Sequence, residues 1–216
     1  MPVSYYILVA VGAYLLGSIP FGFLAAKARG MDIRKAGSGN IGATNALRVL
    51  GKPAGISVLL LDALKGYAAV QWLVLALPPL IGPGPEEMNH LRVVAGVFAV
   101  LGHNYTCWLK FKGGKGIATT AGVYLALAPW ALLVGLVVFL LVVAVTRYVS
   151  AGSISAAVAL PATVWIMHPD DLFLNIVTTA LGFLAIFKHK SNIQRLMAGT
   201  ENRLGQKKTA ATEAVK

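Results

Sequence analysis

Three polar segments break an otherwise apolar chain, and each pairs glycine with residue types that hold anions. The first runs Gly37-Ser38-Gly39-Asn40-Ile41-Gly42-Ala43-Thr44-Asn45 and leads into a short helix-like stretch that Gly51 and Pro53 end. Successive glycines let backbone N–H groups converge on an anion, and a helix N-terminus adds the positive end of its dipole. Arg48 follows one turn later, and its planar fork suits a phosphate oxygen. The second segment is Gly102-His103-Asn104-Tyr105, then Phe111-Lys112-Gly113-Gly114-Lys115-Gly116-Ile117-Ala118-Thr119. Its spacing is not that of a Walker A loop. Even so, two ammonium groups bracket a Gly-Gly turn that opens directly into a helix, an arrangement that would cradle a phosphate. The third is Lys188-His189-Lys190-Ser191-Asn192-Ile193-Gln194-Arg195-Leu196, followed by Gly199-Thr200-Glu201. His189 and Asn192, three apart, share a helix face. Ile193, Leu196 and Met197 add an apolar flank suited to the membrane interface.

Each feature has a plainer reading when taken alone. A Gly-rich turn is often a flexible loop, a basic turn often only sets topology, and a single His at the end of a span is more often packing than chemistry. Asp62 and Lys65, also three apart, are ionisable inside an apolar stretch and pair toward the bundle interior or the site rather than toward lipid. Other chemistries lack their residues. His168, Asp170 and Asp171 have no further ligands for a metal, no G-x-S-x-G elbow is present, and no His is followed by Asp at the spacing H-x-x-x-x-D.

The elements that must position these segments follow from composition. Of 216 residues, 57% are hydrophobic and 12% charged, about half the charged share of a soluble domain. So much apolar surface cannot be hidden in a soluble globule of this size. The chain reads as an all-α integral membrane protein. The single Cys107 forms no intrachain disulfide. The net charge of +11, from 19 Lys and Arg against 8 Asp and Glu, punctuates apolar runs instead of forming a stripe, so nucleic acid is not an expected partner.

Apolar stretches run through 3–26, 54–77, 93–109, 117–146, 149–167 and 172–187, charged only at Asp62 and Lys65. A span needs roughly 20 helical residues. The first stretch has no basic start and is too long for a signal peptide. The fourth is long for one crossing; folding it as a hairpin at Pro129–Trp130 puts both its basic flanks on one side. On that reading 17 of the 19 basic residues lie inside, with only Arg92 outside and Lys65 within a span. The expectation is seven spans, N-terminus outside and C-terminus inside. They form one domain over 1–204, with inner segments at 27–53, 102–119 and 188–204 and a disordered tail at 205–216.

Taken together the three segments resemble the acyl-phosphate:glycerol-3-phosphate acyltransferases of bacterial membranes, the PlsY family. Gly37–Asn45 with Arg48 is similar to its first motif, Gly102-His103 with Phe111–Thr119 to its second, and His189, Asn192, Ile193, Arg195 and Leu196 with Gly199–Glu201 to its third. Tyr14–Gly22 and Arg147–Ser150 also match, and the likeness covers residues 12 to 204. Thr106 stands where the second motif usually has proline.

The resemblance implies transfer of a fatty acyl group from acyl phosphate to the 1-hydroxyl of glycerol 3-phosphate, giving lysophosphatidic acid and inorganic phosphate, with no cofactor or metal. It implies a multi-pass protein of the bacterial inner membrane with its site at the cytoplasmic face, and the enzyme that makes acyl phosphate as a partner to test. Lys112, Gly113, Gly114, Lys115 and Gly116 would hold glycerol 3-phosphate. Ser38, Asn40, Thr44, Arg48, His189 and Asn192 would hold the acyl phosphate, with Gly37, Gly39, Asn45 and Arg195 also binding and Asp62, Lys65 and Glu201 in support. The group that takes the hydroxyl proton stays open among His103, His189 and a substrate phosphate oxygen. The competing class is a transporter of a small phosphorylated solute, which would carry ionisable groups and broken helices at mid-membrane in paired halves.

Overall fold

The computed structural model describes residues 2–76 and 84–205. Within them the chain is all-α: α1 (Val3–Ser18), α2 (Phe21–Lys27), α3 (Ala43–Leu50), α4 (Lys52–Ala68), a π turn (Ala69–Leu73) leading into α5 (Val74–Ala76), then α6 (Pro85–Asn104), α7 (Ile117–Leu127), α8 (Pro129–Thr146), α9 (Val149–Met167), α10 (Leu172–Lys188) and α11 (Lys190–Met197). The expected tail lies outside the described residues from 206 onward, as does Leu77 at the end of the expected second span.

Among the described residues four helical stretches are long and apolar enough to cross a bilayer: Val3–Lys27, Lys52–Leu73, Pro129–Thr146 and Val149–Met167. A fifth is Leu172–Lys188 with Lys190–Met197, bent by 55° between them. The expected count of seven is therefore not reached on length and composition. The two helices that fall short do so for different reasons. α6 is 20 residues long but begins with Glu86 and Glu87, which sit favourably at a helix N-terminus instead of stopping it. It thus starts at Pro85 rather than Val93 and ends at Asn104 rather than Leu109. α7 has 11 residues, about 16 Å, against about 27 Å for the 18 of α8. The stretch 117–146 is broken at Ala128 (φ −150°, ψ 72°), because Pro129 excludes its predecessor from the helical region and opens α8.

The bundle is held by close backbone approach. A Cβ on Gly17 would lie 2.1 Å from the Ala99 carbonyl oxygen, and one on Gly122 would lie 1.8 Å from that of Ala63. Small residues at such crossings let helices pack without a hydrophobic drive between them. Val9, Ala13, Val70, Val93, Ala99, Val123 and Val164 are buried between helices. Leu140, Val145, Ile166 and Phe183 are exposed on the outside, where lipid tails would cover them.

Candidate active site

The three polar segments meet at one cavity of about 150 Å³. In the first, Asn45 is 2% exposed and folds the loop around itself. Its Nδ2 donates to the carbonyls of Ala36 (3.1 Å) and Asn40 (2.8 Å), and its Oδ1 accepts from the Ser38 N–H at 2.8 Å. Gly37 and Gly39 take left-handed φ of +61° and +72°, open to glycine at little cost. The loop thus presents Ser38 and Asn40 to the cavity, and α3 adds Thr44 and Arg48. Asn45 borders the cavity too, but its amide is committed to the loop backbone.

The second segment departs from the expected phosphate cradle. The Gly113 N–H donates to the Asn104 carbonyl (3.2 Å) and the Gly114 N–H to that of His103 (3.0 Å). These are carbonyls that the end of α6 leaves open, so neither amide remains for an anion. A Cβ on Gly113 would fall 2.0 Å from the His103 carbonyl oxygen, and one on Gly114 2.1 Å from His103 Nε2. Both glycines serve close packing on α6. Lys112 is exposed and is not part of the cavity wall; of this loop only Lys115 and Gly116 line the cavity, with Ile117 and Ala118 following. Thr106 keeps a proline-like φ of −62° and adds a buried hydrogen bond, Oγ1 to the Ser18 carbonyl at 2.6 Å.

The third segment closes the site. His189 Nδ1 lies 2.8 Å from the Ala185 carbonyl, which makes Nδ1 the donor and leaves the Nε2 lone pair for the cavity. Burial, helped by the Lys115 charge, pulls this imidazole down to about 4, so it is neutral at pH 7. Lys115 donates to Asn192 Oδ1. Asn192 Nδ2 in turn donates to Glu201 Oε1 (2.8 Å), which also accepts from Ser150 Oγ at 3.0 Å, while Arg195 Nε donates to Glu201 Oε2 at 2.7 Å. Burial alone would raise the Glu201 carboxyl, but the hydrogen bonds from Asn192, Arg195 and Ser150 outweigh it and hold it below its usual value. Arg195 is therefore bound to Glu201 and is absent from the cavity wall. Burial also draws Lys115 down to about 8.

The wall is built largely from helix starts: Gly42–Asn45 of α3, Gly116–Ala118 of α7, Val149 and Ser150 of α9, and His189 with Asn192 of α11. Four positive dipole ends converge there, together with Arg48 and Lys115; first-turn N–H groups stay open in α3, α7 and α9, whereas the His189 and Asn192 amides at the start of α11 are given to the Ile186 and His189 carbonyls. Asp62 and His103 form part of the wall, while Lys65 stands behind Asp62 at 2.7 Å. Such a wall favours phosphate. Among the described residues no three His, Cys, Asp or Glu side chains group as metal ligands.

A second cavity, of about 460 Å³ and almost wholly apolar, shares Thr44, Leu59, Ile117, Ala118, Phe139 and Val149 with the first. It runs between α7, α8, α9 and α10 as far as Leu132, Leu160 and Tyr124, whose hydroxyl donates to Thr178 Oγ1 at 2.6 Å. A polar head and an apolar tail of one molecule fit this pair of spaces. Ser153, Phe139 and the apolar groove carried no role in the sequence reading, and Ser150 entered it only as the end of the matching run Arg147–Ser150, without a role in the site.

Residues 7–199 match the model of the family described as glycerol-3-phosphate acyltransferase. A protein named glycerol-3-phosphate acyltransferase from Desulforamulus reducens is 48% identical over 204 residues, covering 94% of this chain and 97% of its own. The crystal structure of PlsY (YgiH), an integral membrane glycerol 3-phosphate acyltransferase, in its glycerol 3-phosphate form has a TM-score of 0.84 at 37% identity, over 93% of this chain and 96% of that one. Its lysophosphatidic acid form has a TM-score of 0.78 at 38% identity, over 93% and 95%.

Proposed function

Because the chain belongs to the glycerol-3-phosphate acyltransferase family, we propose that its paired cavities join glycerol 3-phosphate to an acyl group delivered as acyl phosphate. The observation that carries this reading is the continuity of the four-helix anion site with the apolar groove. The acyl chain lies in the groove and its phosphate in the polar cavity, beside Ser38, Asn40, Thr44 and Arg48. Lys115 and the open amides at the start of α7 grip the phosphate of glycerol 3-phosphate. The 1-hydroxyl oxygen attacks the acyl carbon, the carbon–oxygen bond to phosphate breaks, and the hydroxyl proton ends on the departing phosphate. His189 Nε2, neutral and held by Ala185, accepts the hydroxyl's hydrogen bond and orients it. The departing phosphate, released as a trianion, is a far stronger base than an imidazole and takes the proton to become hydrogen phosphate. Arg48 and the helix N-termini stabilise the developing oxyanion, and fixed placement of both substrates supplies the rest.

The multi-pass protein crosses the inner membrane seven times, α6 and α7 completing the set, with N-terminus outside and the site at the cytoplasmic face. Two features support this. The basic residues collect around the cavity end. At the other end Asn89 of α6 binds Asp171 before α10 at 2.9 Å. Phe139, two turns before the end of α8, borders the same cavity as Ile117, so the short α7 starts deep and the site is recessed below the interface. The permease reading finds no support in the relatives. The test is purified protein with acyl phosphate and glycerol 3-phosphate: release of phosphate in step with lysophosphatidic acid is expected, and phosphate release without acylated product would overturn the reading.

A further inference from the structure

A buried polar chain runs from the bend between α1 and α2 to the Gly113–Gly114 turn. The Ile19 carbonyl, just past the end of α1, accepts from Lys65 Nζ at 2.7 Å as well as from the Phe21 N–H at 3.2 Å. Lys65 Nζ lies 2.7 Å from Asp62 Oδ1, and the same oxygen lies 3.5 Å from His103 Nδ1. Asp62, Lys65 and His103 are 1%, 3% and 4% exposed. The far nitrogen, His103 Nε2, lies directly under Gly114, where a methyl would sit 2.1 Å away. One residue later Lys115 reaches Asn192 and the cavity.

A buried ion pair is weak evidence for stability, since apolar replacements of both partners are often neutral or better. Here the pair does something an apolar pair would not. At 3.5 Å the carboxylate and Nδ1 are charge neighbours rather than hydrogen-bonded, and the carboxylate's field favours the tautomer protonated at Nδ1 and with it one orientation of the imidazole beneath the loop. Because the Gly113 and Gly114 amides are spent on α6, the height of Lys115 over the cavity depends on how flat this backbone lies on that imidazole. We infer that Asp62 and His103 form a positioning pair, anchored by Lys65, that sets the Gly113–Lys115 backbone and thereby the affinity for glycerol 3-phosphate. Neither residue exchanges a proton with substrate in this role. The inference rests on Lys115 being the grip for glycerol 3-phosphate.

The experiment is a kinetic double-mutant cycle with thermal unfolding measured alongside. Gly114→Ala should raise KM for glycerol 3-phosphate by about tenfold or more with the acyl phosphate KM little changed. In a His103→Ala background, where the methyl meets no ring, it should add less than about twofold. The second arm is Asp62→Leu with Lys65→Leu, which removes both charges together. It should keep a near-native Tm while the glycerol 3-phosphate KM stays raised, and Asp62→Glu should recover part of the loss. An additive cycle, or a double leucine variant with native Tm and native KM, overturns the positioning role. Should Lys115→Gln leave that KM unchanged, the phosphate grip itself is wrong; should it raise the KM while the cycle is additive, only the Asp62–His103 inference falls.

Discussion

Lys115 offers the sharpest test, through pH. Burial lowers its pKa to about 8 in the empty site, and a lysine grips a phosphate only as the ammonium. The protonated fraction is then about 0.9 at pH 7 and about 0.1 at pH 9. Over that interval glycerol 3-phosphate keeps its charge, its second ionisation being complete. kcat/KM reports the free enzyme, so it should fall about tenfold from pH 7 to pH 9 for this substrate. kcat at saturation should fall later, because bound phosphate favours the charged amine. The loss at any one pH follows from the contacts. One N–H of Lys115 is given to Asn192, leaving two for the anion. A single charge-assisted hydrogen bond is worth roughly 1.5–3 kcal/mol, so Lys115→Gln should raise KM by about 10- to 100-fold and abolish the alkaline limb. Phosphate release from pH 6.5 to 9.5 at constant ionic strength, with glycerol 3-phosphate varied at saturating acyl phosphate, measures all of this. A kcat/KM flat to pH 9.5, or the same alkaline limb in Lys115→Gln, would refute the reasoning.

Further outcomes follow from the same geometry. Arg48→Ala, which removes the guanidinium at the reacting phosphate, should lower kcat by about 10²-fold in steady-state assays with both KM values little changed. Ala121 borders the apolar groove; Ala121→Phe should lower kcat/KM for long-chain acyl phosphates more than for short-chain ones, and an equal loss across chain lengths would place the tail elsewhere. In a Cys107→Ser background, cysteine at position 130 should react with an impermeant reagent from outside, while cysteines at 115 and 147 should not. Acyl-CoA should be inert as donor, since the site lacks a strong base to drive attack on a thioester; turnover matching acyl phosphate in the pure protein would sink that expectation.

Much of this protein follows from the order of its residues. The apolar runs, the basic residues that punctuate them and the three Gly/Asn/Arg segments are one-dimensional facts. They point to a membrane bundle, because solvation and charge act on each residue where it stands, and the family resemblance adds the expectation of a phosphate-binding site. Ser38, Arg48, Lys115, His189 and Asn192 were legible in this way, and the structure places all five on one cavity wall. What the sequence left undecided depends on which groups are already occupied. Gly113 and Gly114 read as an anion cradle, yet their amides are spent on α6. Asn45 and Arg195 read as ligands, yet their polar atoms are taken by the loop backbone and by Glu201. A donor binds one partner at a time, and that partner is chosen by packing between residues as distant as His103 and Gly114 or Asn192 and Lys115. The apolar groove is likewise a product of tertiary structure: apart from residues of the polar segments such as Thr44, Ile117 and Ala118, those that line it read as lipid-facing or core, and only the assembly of α7 to α10 leaves an empty space among them.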